Sequence, residues 1–344
     1  MSADEDFPSL LKRLAEGHSL SAESSLRAFG AIMAGEVSEA RMASFLTALT
    51  LREPTVAEIT GAARAMRAAM RTIESPVGAI DLCGTGGDGH GTLNISTAAT
   101  FVVAARGVPV AKHGNRNMSS RAGAADVLEA LQVRIDLSPQ AAQTCLDRLG
   151  LCFLFAPAYH PAMKHVAPVR KELGFRTVFN LLGPISNPAQ VRRQVLGVFA
   201  ERWVEPLAHV LAELGTEHAW IVHGRDGMDE LTTTNASLVV EIAQGKIRRF
   251  ELTPEEVGLE RVSLEDVRGG DAAFNASALE AMLQGGGSHA YRDIVMLNAA
   301  SALVVSGKAP NIGEGMHQAD AAIRDRSAFD MLAQLRATTQ ALAS

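Results

Sequence analysis

The sequence predicts an α/β fold: a small all-helical domain over residues 1–75, then a larger α/β domain over 76–344 with a mainly parallel sheet. Three observations carry this. Up to about residue 72 the apolar residues recur at intervals of three and four, the period of helices. Beyond Ser75-Pro76 short apolar runs alternate with helical patterns, as in βαβ units. Glycine-dense loops follow directly on two of those runs.

In chain order, Leu10, Leu11 and Leu14 mark a first helix, and Leu26, Phe29, Ile32 and Met33 a second. Met42, Phe45, Leu46 and Leu49 mark a third. Thr55 and Glu58 form a capping-box pair that starts a fourth helix through Ile59, Ala62, Ala63, Met66 and Met70. The many small residues favour close packing, and the apolar stripes face either the chain's own core or a second subunit, which would make a homodimer. Strands are expected at 79–83, 108–111, 151–155, 194–198 and 219–222, and helices at 96–106, 122–131, 139–149, 160–173 (despite Pro168) and 204–214. Helices from about 160–185 are expected to join the helical domain. Residues 237–275 are less regular, with a hairpin around Gln244-Gly245, and the chain ends in helices over 291–306 and 316–342.

Composition narrows the functional class. The chain is 47% hydrophobic and carries a formal charge of −6, with no long basic run, which disfavours a general nucleic-acid surface and favours small-molecule partners. Cys83, Cys145 and Cys152 form no CxxC pair, which suits a reducing compartment. An acidic N-terminal stretch and the lack of a membrane-length apolar run lead us to expect a cytoplasmic protein with no membrane partner.

Ligands of open parallel sheets sit beyond the carboxyl ends of strands, where both glycine-rich loops fall. The first, Gly84-Thr85-Gly86-Gly87-Asp88, is neither a GxGxxG fingerprint nor a Walker loop; alone it reads equally as a tight turn or a phosphate nest. Thr92, Asn94, Ser96 and Thr97 then open a helix with more hydroxyls and amides than capping requires, which favours an anion there. The second, Lys112-His113-Gly114-Asn115-Arg116 with Ser119 and Ser120 after it, sets two cations beside bare backbone, again an anion site. Asp229 and Glu230 end the run HGRDGMDE; most such pairs are merely solvated, but two phosphate loops imply a polyanion and hence a use for Mg²⁺.

These motifs, with APAYHPAMKHVAPVRKELGFRTVFNLLGP at 156–184, give a chain that resembles the anthranilate phosphoribosyltransferases over nearly its whole length. The resemblance implies the fold shared with nucleoside phosphorylases, a homodimer through the N-terminal helices, Mg²⁺ as cofactor, and two substrates, anthranilate and 5-phosphoribosyl 1-diphosphate. It implies that Gly84, Gly87, Asp88, Thr92, Asn94, Ile95, Ser96, Thr97, the stretch Lys112, His113, Gly114, Asn115, Arg116, Asn117, Met118, Ser119, Ser120, and Ala124 hold the phosphoribosyl diphosphate. It places Gly84, His113, Asn115 and Arg170 at anthranilate, and Ser96, Asp229 and Glu230 at Mg²⁺, with no general acid or base and Lys112 contributing electrostatically. Asn117, Ala122 and Ala124 depart from the family pattern, where serine (or, at 117, serine or alanine) is usual. Rival readings are a pyrimidine nucleoside phosphorylase and a nucleic-acid-binding relative that has lost synthesis; the intact Asp229-Glu230 pair and the acidic charge oppose the second.

Overall fold

In a computed structural model, residues 5–116 and 122–342 are described. The chain opens with helices α1 (Phe7–Ala15), α2 (Ala22–Ala34), α3 (Glu39–Arg52) and α4 (Val56–Ala68). Asp6 and Ser21 cap the first two by accepting the N–H of Ser9 and Ser24, and Thr55 and Glu58 form the reciprocal box that starts α4. Small residues do bring α2 and α4 close: a Cβ on Gly61 would fall 2.2 Å from the Ala22 carbonyl oxygen.

The α/β part continues with β1 (Ile80–Gly84), α5 (Ile95–Ala105), β2 (Val110–Gly114), α6 (Ala124–Ala130), α7 (Pro139–Leu149), β3 (Leu151–Phe155), α8 (Ala156–Tyr159), α9 (Ala167–Leu173) and α10 (Phe179–Leu182). It ends with β4 (Arg193–Gly197), α11 (Val204–Glu213), β5 (His218–Gly224), β6 (Ser237–Ala243), β7 (Lys246–Leu252), α12 (Ala272–Leu283), α13 (His289–Val305), α14 (Ile312–Arg324) and α15 (Ser327–Leu342). The sheet order is β3-β2-β1-β4-β5-β6-β7, parallel from β3 to β5 and antiparallel at β6 and β7. The hairpin turn falls at Gln244 and Gly245, both at positive φ (52° and 74°), the pairing that matches strand twist.

One core packs α5, α12, α13 and α14 on one sheet face. The other runs from α1–α4 through α9 and α10 to α11 and the opposite sheet face, reaching Leu196, Ile221 and Val240. The stripes of the N-terminal helices, including Leu10, Phe29, Ile32, Phe45 and Ile59, are buried inside this second core.

Several expected elements have different limits. In place of a single helix over 160–173 there is a 3₁₀ turn at Pro161–His165 followed by α9, set off from α8 because Pro161 drives His160 out of the helical region (ψ 65°). The terminal helix splits into α14 and α15 where Arg326 takes φ 63°. Helix α12 was not anticipated. β2 and β5 run past 111 and 222 to Gly114 and Gly224, so Lys112, His113 and His223 are strand residues, not loop residues.

Candidate active site

β1 and β4 are neighbours whose following helices, α5 and α11, cover opposite faces of the sheet. Their loops part at this switch point and leave a crevice at the carboxyl edge. Four adjacent strands end there on glycine, at Gly84, Gly114, Gly197 and Gly224. Bare backbone is required: a Cβ on Gly197 would fall 1.6 Å from the Asp229 carbonyl oxygen, and on Gly84 2.4 Å from Asp229 Oδ2. The segment 226–230 therefore lies directly across the strand ends.

That segment is braced from both sides. Asp226 accepts the Met228 N–H at 3.0 Å and the Thr232 and Thr234 hydroxyls, while Asn298 of α13 both donates to and accepts from the Leu231 backbone (2.8 and 3.1 Å). Asp229 accepts the Gly86 N–H at 2.6 Å, and Glu230 accepts the Ser96 N–H at 3.1 Å, at the N-terminus of α5. The glycine loop and helix end thus meet an anion, and it is the chain's own acidic pair. Burial, Asp88 and Glu230 push Asp229 well above the usual carboxylate range. Burial lifts Glu230 to about 7 against the opposing charge of Lys112. Lys112, 3% exposed, donates to the Leu82 carbonyl at 2.6 Å and to Ser96 Oγ at 3.4 Å.

His113 follows Lys112 in β2 and so points to the opposite face of the sheet. The His113 and His160 rings lie 5.2 Å apart, both are buried, and neither Nε2 has a hydrogen-bond partner among the described residues. Burial first, then His160, holds His113 down to about 3, and burial holds His160 to about 4, so both rings are neutral near pH 7. Arg170 of α9 is partly buried, reaches Asn180 Oδ1 at 3.4 Å and lies over the Phe179 ring; among the described residues no carboxylate pairs with it. Burial lowers its pKa.

The structure thus brings together Gly84, Gly87, Asp88, Ser96, Lys112, Asp229 and Glu230. Thr92 bridges to Arg268, and Asn94 donates to the Ala122 carbonyl at 3.3 Å. The Ile95 side chain and Thr97 are buried in the first turn of α5, so Ile95 cannot offer a side chain to a ligand. Gly114 and Ala124 pack together at the start of α6, where a Cβ on Gly114 would lie 3.4 Å from the Ala124 methyl. Asn115 is exposed, and the neighbouring Arg116 pairs with Asp126 and Glu129. Asn117, Met118, Ser119 and Ser120 lie outside the described residues.

Three residues of the site were not singled out from the sequence. Asp81, fully buried, accepts the His113 N–H (3.1 Å) and Asn187 Nδ2 (2.8 Å), locking β2 to β1; a carboxylate inside an apolar strand was the available signal. His160 stood within a quoted motif. Arg176 stacks 4.3 Å over the Phe199 ring beside Gly87 and pairs with no carboxylate among the described residues.

Comparison with known proteins gives the same picture. Residues 8–70 match the helical bundle domain, and 77–329 the a/b domain, of the glycosyl transferase family. An anthranilate phosphoribosyltransferase of Azorhizobium caulinodans is 51% identical over 339 residues, covering 98% of each chain. The crystal structure of the Thermus thermophilus anthranilate phosphoribosyltransferase superposes with a TM-score of 0.91 at 44% identity, over 96% of this chain and 99% of that one. The Saccharomyces cerevisiae enzyme in complex with PRPP and Mg superposes with a TM-score of 0.89 at 27% identity, over 97% and 98%. Similarity at this level over nearly the full length of both domains means that the chain belongs to the anthranilate phosphoribosyltransferases of the glycosyl transferase family.

Proposed function

We propose that this chain transfers the phosphoribosyl group of 5-phosphoribosyl 1-diphosphate to the amine of anthranilate, releasing diphosphate, in tryptophan biosynthesis. The observation that carries it is a braced acidic segment beside buried Lys112 at the carboxyl ends of the strands, together with a guanidinium, Arg170, that pairs with no carboxylate among the described residues.

Breaking the C1–diphosphate bond places negative charge on the leaving group and oxocarbenium character on the ribose. Fixed cations and N–H dipoles around the diphosphate stabilise that state more than the ground state. We assign Lys112, the loop Gly84 to Asp88, Thr92 and the Asn94 to Thr97 backbone to this task, together with Gly114, Ala124 and residues 115–120. Arg116 is the weakest member of this set, being engaged by two carboxylates. Arg176 adds a cation beside Gly87.

The acidic pair suits Mg²⁺. Burial first, then the neighbouring Asp88 and Glu230, raises Asp229, and burial with a smaller push from Asp88 raises Glu230, a sign of negative charge in excess; all three side chains offer the oxygen ligands that Mg²⁺ prefers. Among the described residues no group of three or more His, Cys, Asp or Glu closes into a metal cage, as expected where water and substrate phosphate complete the coordination. Ser96, Asp229 and Glu230 would hold the ion, which when bound neutralises diphosphate charge.

For anthranilate, Arg170 supplies a guanidinium that pairs with no carboxylate among the described residues, suited to the substrate's carboxylate, and we assign Gly84, His113 and Asn115 to the same substrate. The aryl amine is neutral at pH 7, so its lone pair attacks without a base, and positioning is the main demand.

We place the domain boundary near residue 75 and the protein in the cytoplasm as a homodimer, with the N-terminal helices as the contact; Leu51 of α3, 83% exposed, supports that face. No helix among the described residues is long and apolar enough to cross a membrane. The functional test is loss of anthranilate fluorescence on mixing the protein with Mg²⁺ and phosphoribosyl diphosphate. Metal-dependent loss is expected; no loss, with thymidine or uridine phosphorolysis instead, would favour a nucleoside phosphorylase.

A further inference from the structure

The glycine loop and the start of α5 are held by chain that lies far downstream. The Leu93 N–H donates to the Val267 carbonyl at 3.0 Å and the Gly269 N–H to the Gly91 carbonyl at 2.9 Å. Gly269 approaches so closely that a Cβ there would fall 2.6 Å from the Thr92 carbonyl oxygen. Tyr291 of α13 donates its hydroxyl to the Asn94 carbonyl at 3.2 Å. At the centre of this contact Asn275 of α12, 1% exposed, donates from Nδ2 to Asn94 Oδ1 at 2.8 Å.

The direction of that last bond is forced. A backbone N–H can only donate, and the Gly270 N–H reaches Asn275 Oδ1 at 2.7 Å. Asn275 must therefore turn its NH₂ to Asn94, and Asn94 must answer with its oxygen. Asn94 Nδ2 is left facing the Ala122 carbonyl, which takes one of its two hydrogens. The other has no partner among the described residues. Asn275 and the Ala122 carbonyl, which can only accept, hold this orientation together, Asn275 by the shorter bond; without Asn275 only the 3.3 Å contact opposes a turned-over amide, whose oxygen would face the place where a phosphate or ribose oxygen is expected.

We propose that Asn275 is a positioning residue for the sugar donor: it fixes the Asn94 amide so that an N–H, and not the carbonyl oxygen, faces the phosphorylated ligand. This rests on the transferase reading above, in which Asn94 lies at the donor. Asn275 touches no reacting atom. Its effect passes through Asn94, and it carries the register of α12 into the cleft.

The test is a double-mutant cycle on the full chain, with KM measured for both substrates in the presence of Mg²⁺ and thermal melting recorded for every variant. Asn275→Ala is expected to raise KM for phosphoribosyl diphosphate about five- to tenfold, the scale of one oriented hydrogen bond, and KM for anthranilate less than twofold. In an Asn94→Ala background the same substitution is expected to add less than about twofold, because the group it orients is gone. The same factor in both backgrounds, or equal rises for both substrates, would overturn the proposal. If Asn275→Ala does not fold, Asn275→Asp carries the test, because its carboxylate still accepts the Gly270 N–H but cannot donate to Asn94 Oδ1: a rise of at least about fivefold confined to the phosphoribosyl diphosphate KM supports the proposal, and an unchanged KM overturns it. Absence of turnover in the unaltered chain would instead overturn the transferase reading itself, a result distinct from any of these.

Discussion

The two sides of Lys112 are built on opposite principles. On the acidic side the polar groups are cross-braced: Asp229 and Glu230 hold the Gly86 and Ser96 N–H groups, Asp226 and Asn298 hold the intervening segment, and Asn275 holds Asn94. On the other side, among the described residues, His113 and His160 keep buried ring nitrogens without partners and Arg170 has no counter-ion. A buried polar atom left unpaired costs about 1–3 kcal/mol. A carboxylate-bearing ligand would supply the counter-ion that Arg170 lacks among the described residues. The acidic side is thus prepared before any ligand arrives, and the other side is completed by one.

The largest break in this arrangement is expected from the residue on the boundary. Lys112→Met keeps much of the side-chain volume but removes the cation opposing Glu230 and Asp81. We expect kcat to fall about 10²–10³-fold, as on loss of a group aimed at developing charge, measured by single-turnover kinetics. Next come Asp229→Asn and Glu230→Gln, each expected to lower kcat/KM about tenfold or more and to raise the Mg²⁺ concentration giving half-maximal rate. Unaltered rates across a magnesium titration would remove the acidic pair from the metal site.

A subtler contrast appears in stability against pH. Both histidines have folded-state pKa values below the ordinary 6.5, at about 3 and 4. Their contribution is therefore complete above pH 6.5 and is lost as pH falls towards 4, at up to about 1.4 kcal/mol per pH unit for each ring. Glu230 has the opposite sign. Its folded-state pKa of about 7 lies above the ordinary 4.5, so in metal-free buffer its contribution is lost as pH rises from 4.5 through 7. Melting curves should separate the two: His160→Asn is expected to flatten the acid limb, and Glu230→Gln the neutral limb. A single limb altered by both variants would mean that the halves are not electrostatically distinct.

The fold was legible because the shift from a helical period to alternating strands and helices at Ser75-Pro76 is a property of the sequence itself. The glycine loop, the opening of α5 and the acidic pair were legible as chemistry, because their residue types exceed what turns and caps need. Lys112 and His113 were misread as a loop because polar residues end an apolar run; only Asp81, thirty-odd positions earlier, makes them acceptable inside a strand. His160 was hidden by the helix assumed to run through it, which Pro161 prevents. Helix α12 was missed because AAFNASALEAML is apolar on most sides and shows no stripe, and with it went Asn275. Pairings of this kind depend on tertiary contact, and local pattern does not report them.

The central claim is that one side of the cleft serves the sugar donor and the other the aromatic acceptor, and Arg170→Ala tests it most directly. KM for each substrate should be measured at saturating concentrations of the other. We expect the anthranilate KM to rise about tenfold or more while the phosphoribosyl diphosphate KM changes less than about twofold, the scale of one charge-assisted contact. Equal rises in both, or a rise confined to the sugar donor, would contradict the division of the cleft.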